Sequence, residues 1–114
     1  MRQTEVLLEG LVFAEGPRWH EGRLWVSDMH GHEVLTVDIG GHRETVVSMT
    51  DRPSGLGFLP NGQLVIVSMD DRKLLRLDQD GLALHADLSE VAAFRCNDMV
   101  MDSKGRAYVG NFGF

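Results

Sequence analysis

Three stretches of this 114-residue chain repeat one pattern at a nearly fixed interval. Gly22-Arg23-Leu24-Trp25-Val26-Ser27-Asp28 returns forty residues later as Gly62-Gln63-Leu64-Val65-Ile66-Val67-Ser68, and forty-three after that as Gly105-Arg106-Ala107-Tyr108-Val109-Gly110-Asn111. A second marker keeps step: Val34-Leu35-Thr36-Val37-Asp38 returns as Leu74-Leu75-Arg76-Leu77-Asp78, again forty residues on. A period in this range marks a repeat architecture, in which each unit is one supersecondary element that buries its apolar face against its neighbours.

Within a unit, short runs rich in Val, Leu and Ile are divided by the turn pairs Glu21-Gly22, Gly40-Gly41, Asn61-Gly62, Asp80-Gly81 and Lys104-Gly105. Glycine supplies the positive φ that tight hairpins require. The pattern predicts strands over 4–8, 16–19, 23–27, 33–38, 43–48, 54–59, 63–67, 73–78, 82–86, 97–101 and 105–110. Only residues 88–94 look helical. Four antiparallel strands in ~40–45 residues are the signature of a β-propeller blade, so the expected fold class is all-β. Blade 1 spans about 10–50, blade 2 about 51–90, and residues 91–114 start a third. Together they form one partial propeller domain of roughly two and a half blades. A closed ring takes at least about four blades. The chain is therefore expected either to be part of a longer protein or to complete itself by self-association through its unpaired blade edges. Residues 4–8 are expected to be the strand that pairs with a last blade to close the ring.

Charge and cysteine content narrow the function classes. Lys plus Arg number 11 against 17 Asp plus Glu, a net charge of −6, so no basic surface of the kind that holds phosphate backbones is expected, and nucleic acid is not an expected partner. A single cysteine, Cys96, rules out an internal disulfide framework and a four-cysteine zinc site, and suits a reducing compartment. No apolar run approaches the ~20 residues of a membrane span, and the first residues lack the apolar core of a signal peptide. No membrane partner is expected, and a cytoplasmic location is the default.

In a propeller the inner strands line a central channel, and the residues at their entrances converge on its axis. Counting back from each hairpin glycine, Glu15 lies seven residues before Gly22, Ser54 and Gly55 eight and seven before Gly62, and Asn97 and Asp98 eight and seven before Gly105. Oxygen-bearing side chains thus recur at one address. They suit a hard divalent cation such as Ca²⁺, Mg²⁺ or Mn²⁺. They equally suit turn capping through local bonds to backbone N–H groups. Both readings stay open on position alone.

Phe13-Ala14-Glu15-Gly16-Pro17-Arg18-Trp19, then Leu24-Trp25-Val26-Ser27-Asp28, Arg95-Cys96-Asn97-Asp98 and Gly105 through Gly113 together resemble the SMP-30/gluconolactonase/regucalcin-like family over essentially the whole chain. The resemblance implies a six-bladed propeller with one divalent metal on its axis (calcium, magnesium, manganese or zinc) that hydrolyses lactones of sugar acids or related esters. It implies Glu15 as the first metal ligand, Arg95 and Asn97 as the pair that meets the small-molecule substrate's oxygens, and Asn97 also near the metal. Asp98, beside them, is a further substrate-binding candidate. The remaining ligands and the acid/base are expected from later blades, beyond Phe114. Two other functions stand beside lactone hydrolysis: a non-catalytic propeller that binds a ligand or a protein at its channel mouth, and an inactive chain that assembles into a ring.

Other residues carry structural readings. His30-Gly31-His32 reads as a solvated turn rather than a ligand pair. His20, His42 and His85 read as surface or turn residues, and Cys96 as a small buried filler rather than a nucleophile. Trp19, Trp25, Phe58, Tyr108 and the six methionines are assigned to blade packing. Asp70-Asp71-Arg72-Lys73 reads as a solvated hairpin.

Overall fold

Glu21 and Gly22 both take positive φ, 51° and 76°, and His20 pairs with Arg23 across them. This is the backbone of a two-residue type I′ hairpin, whose twist matches that of the strands it joins. It links β1 (Ala14–His20) to β2 (Arg23–Asp28), and the chain then folds back twice more into β3 (Glu33–Val37) and β4 (Arg43–Ser48). The result is a four-stranded antiparallel sheet in simple chain order. A second such sheet follows from β5 (Pro53–Phe58), β6 (Leu64–Ser68), β7 (Lys73–Asp78) and β8 (Gly81–Asp87), and β9 (Cys96–Met101) pairs with β10 (Ala107–Asn111) in a third. The computed structural model describes residues 3–113. Two complete propeller blades and the inner half of a third make an all-β fold, with no helix among the described residues.

Every residue of β6 is buried, and period-two alternation divides its side chains between two cores. Leu64 and Ile66 join Val34, Met49 and Leu56 between the first two blades. Val65 and Val67 join Leu74, Ala92, Cys96 and Met99 between the second blade and β9–β10. Burial of Cys96 in that second core pushes its thiol pKa upward, as befits a filler. Met29, Met49, Met69 and Met99 are core residues, Met101 packs against the second core, and Met1 lies outside the described residues.

Several expectations are corrected. Residues 4–8 form no strand: no neighbouring strand pairs with them among the described residues, and an extended segment without a ladder partner does not register as sheet. Residues 88–94 are not helical either. Val91 N–H and Ala92 N–H both donate to the Leu88 carbonyl, a single turn that is not continued, and the Arg72 guanidinium caps the segment through the Ser89 and Ala92 carbonyls. Trp19 and Tyr108 are 60% and 57% exposed, on faces that neither core covers. His20 flanks the Glu21-Gly22 turn as expected but is only partly exposed: it stacks on Phe58 at 3.6 Å and 12°, while Trp25 meets the same ring edge-on and donates its indole N–H to the His20 carbonyl. That cluster fastens the hairpin end of blade 1 to blade 2.

Candidate functional site at the inner-strand entrances

The first strand of each blade breaks register near its start. Glu15 pairs with Ser27 and Arg18 with Trp25, so Gly16 and Pro17 oppose the single residue Val26. Pro53 pairs with Ser68 and Leu56 with Ile66, leaving Ser54 and Gly55 opposite Val67. Cys96 pairs with Asn111 and Met99 with Val109, leaving Asn97 and Asp98 opposite Gly110. A two-against-one slip bends a strand and re-aims its side chains, and such slips concentrate beside functional sites. Here one slip recurs in three successive inner strands, at the end of the blades where the polar candidates lie.

The slips also correct the address. Aligned on them, Asn97 matches Ser54 and Gly16, while Glu15 stands one place earlier, level with Pro53 and Cys96. Counting from the hairpin glycine misplaces Glu15 by two, because in blade 1 the stretch from slip to turn is one residue shorter (18–20 against 56–59 and 99–102) and the turn itself is one residue shorter. The β1–β2 turn has two residues, whereas Leu59 N–H bonds to the Gln63 carbonyl and Asp102 N–H to the Arg106 carbonyl around three-residue loops.

Two glycines let the inner strands close up. A Cβ on Gly16 would lie 2.6 Å from the Ser54 carbonyl oxygen, and one on Gly55 would lie 2.5 Å from Met99 N. Ser27, fully buried, donates its hydroxyl to the same Ser54 carbonyl at 2.7 Å. β1, β5 and β9 therefore sit backbone against backbone around the entrance.

The four predicted site residues divide into two kinds. Glu15 and Asn97 are half-buried and have no side-chain hydrogen-bond or ion-pair partner among the described residues. The Asn97 Oδ1 overhangs Gly110, in the space a Cβ there would take. Asp98 and Arg95 are engaged. Asp98 Oδ1 accepts from Arg18 Nη2 at 2.7 Å and from Met99 N–H at 2.8 Å. Arg95 Nε lies 2.8 Å from Asp70 Oδ1, and Asp70 is gripped from the other side by Arg52. The Arg52 guanidinium holds the Asp70 carboxyl down at about 2, with the charge of Arg95 adding to the effect. Sequence reasoning missed Arg18, Arg52 and Asp70. Arg18 directly follows the Glu15-Gly16-Pro17 run, but nothing in the spacing shows that it reaches a strand eighty residues on.

The sequence profile of the SMP-30/Gluconolactonase/LRE-like region matches residues 13–114. The chain belongs to this family. Its fold superimposes on a gluconolactonase from Xanthomonas campestris with a TM-score of 0.80 at 25% identity, over 95% of this chain and 38% of that one. It also superimposes on the calcium-binding protein regucalcin from Agrobacterium tumefaciens, with a TM-score of 0.70 at 24% identity, over 87% of this chain and 35% of that one. The chain thus spans less than two fifths of either neighbour. No curated protein sequence matches it.

Hard oxygen donors are the right chemistry for a divalent cation, and Glu15 and Asn97 supply them unencumbered. They do not make a complete site alone: among the described residues, no group of three or more His, Cys, Asp and Glu side chains converges to hold a metal.

Proposed function

We propose that this chain is the leading part of a divalent-metal-dependent lactonase that opens lactones of sugar acids or related esters. The single observation that carries the reading is the pair of unpartnered oxygen donors, Glu15 and Asn97, set at the register slips of inner strands packed around one entrance. Family membership and the gluconolactonase neighbour support the same chemistry.

In this reading Glu15 and Asn97 hold the cation with further ligands from outside residues 3–113. The cation, of the Ca²⁺, Mg²⁺, Mn²⁺ or Zn²⁺ class, supplies Lewis-acid polarisation of the lactone carbonyl. Arg95, 60% exposed at its side chain, presents its donors to the hydroxyl and carboxyl oxygens of the small-molecule substrate. Asp98 lends the substrate its second carboxylate oxygen while Arg18 holds the first. The carboxylate that moves the proton during ring opening comes from outside this segment.

The test is hydrolysis of D-glucono-δ-lactone by the protein at its full native length, followed by acid release before and after chelation. Activity lost to the chelator and restored by one of the four cations is the expected result. Tight lactone binding without turnover would instead favour the non-catalytic, ligand-binding propeller.

A further inference from the structure

Arg95 reaches its place at the rim through one carboxylate, and that carboxylate is itself fixed. Asp70 lies in the loop between β6 and β7, where the sequence suggests only a solvated hairpin. Arg52, just before β5, donates Nε–H to Asp70 Oδ2 at 2.9 Å and Nη2–H to Oδ1 at 2.6 Å, the two-pronged arrangement that fixes both oxygens of a carboxylate. Oδ1 then lies 2.8 Å from Arg95 Nε. Asp70 is the only side-chain partner of Arg95 among the described residues. Asp51 anchors the far side of the same loop, accepting from the Ser68 hydroxyl at 2.6 Å and from Asp71 N–H at 2.9 Å.

An arginine side chain has rotamer freedom to lose on ordering, and a fixed carboxylate beside its Nε restrains the guanidinium by charge while leaving the terminal nitrogens available. We propose that Asp70, locked by Arg52, is a positioning residue: it sets the Arg95 guanidinium at the channel mouth for an oxygen-rich, polyhydroxy carboxylate or lactone. This rests on the lactonase reading for the identity of the substrate. Asp70 never touches substrate; it acts through Arg95.

The experiment uses the full-length protein and its Asp70→Asn, Arg95→Ala and double variants, with Arg52→Gln as a second route to the same effect. Each is measured for lactone hydrolysis and, by calorimetry, for binding of D-gluconate, the hydrolysis product. Asp70→Asn should raise KM and the gluconate Kd by about tenfold, the scale typical of a supporting carboxylate, with kcat nearly unchanged. Arg52→Gln should move both constants the same way by less. In the Arg95→Ala background Asp70→Asn should add nothing. Full additivity in the double variant, or an unchanged KM and Kd in Asp70→Asn, overturns the proposal. A wild-type protein that hydrolyses no lactone, yet binds gluconate in a way that depends on both Arg95 and Asp70, would defeat the lactonase reading and leave the positioning role standing. Gluconate binding indifferent to Arg95→Ala would overturn the positioning role itself.

Discussion

Arg18 of the first inner strand and Asp98 of the third meet past the whole of the second blade, Nη2 to Oδ1 at 2.7 Å, and the same guanidinium nitrogen donates to the Met99 carbonyl at 2.6 Å. One side chain thus ties the first blade to the third at their shared entrance. The ion pair is partly exposed, 29% and 55% at the two side chains, so its Coulomb share is small and screened by salt. The charged bond to the Met99 carbonyl contributes more.

Replacing Arg18 by Met, which keeps the apolar stem, should lower unfolding stability by about 1–2 kcal/mol. A double-mutant cycle with Asp98→Asn should return a coupling of no more than about 1 kcal/mol. Urea unfolding measures both. A cycle with no coupling would mean that the ion pair with Asp98 contributes nothing and that the whole loss in the Arg18 variant comes from the bond to the Met99 carbonyl.

Gly55 should tolerate no side chain. Its added Cβ would lie 2.5 Å from Met99 N and 2.8 Å from the Asp98 Cα, and backbone cannot swing aside as a side-chain tip can. Gly55→Ala should cost about 3 kcal/mol, at the upper end of overpacking penalties. Gly62 is the control. It has open space around it and a φ of +88°, so Gly62→Ala carries only the left-handed backbone strain of about 1–2 kcal/mol. Equal losses in the two variants would show that inner-strand contact is looser than the geometry requires.

Asp70 makes stability depend on acid pH with a definite sign. Its folded pKa of about 2 lies below the unfolded value of about 3.9. The stabilisation is therefore complete above about pH 4 and is lost as pH falls toward about 2. The side chain is 42% exposed, which limits the effect to about 1 kcal/mol. Asp70→Asn should be less stable than wild type by that amount near neutrality, and the difference should vanish by about pH 2. A constant gap across the acid limb would place the loss in packing and not in charge.

How far the sequence reveals this architecture follows from what each signal depends on. Strand positions depend on local alternation and turn chemistry, and ten of the predicted strands match β1 to β10 within about two residues. The eleventh, over 4–8, had apolar residues but no partner, and pairing is not a local property. Glu15 and Asn97 were visible because a repeat makes equivalent positions comparable, while their relative level was misjudged because hairpin length varies between blades. Asp70 looked like surface charge, since the residue that gives it a role, Arg52, comes from the approach to another strand. Trp19 was assigned to packing by its type, yet it is 60% exposed, and exposure is set by what a fold lays against a face and not by residue type.

In the proposed reading Glu15 serves binding and Arg18 serves folding, and the two roles predict opposite patterns. Its carboxylate has no partner among the described residues, so Glu15→Gln removes charge without breaking a bond. Stability of the metal-free protein should change by no more than about 0.5 kcal/mol, the range of substitutions away from structural contacts. Divalent-cation affinity should fall by at least about tenfold, because an amide oxygen replaces a charged one in a hard-ligand set. Asn97→Ala should behave alike, though its Oδ1 overhangs Gly110 and its loss opens a small gap. Arg18→Met should do the opposite, lowering the melting temperature while leaving cation affinity within about twofold of wild type, since Arg18 contributes no oxygen. Calorimetric titration with calcium, set beside thermal unfolding of the chelated protein, distinguishes the two patterns. If Glu15→Gln lowers stability and leaves calcium affinity intact, Glu15 is a structural cap of the β1 slip, and the ligand set must be sought on other strands.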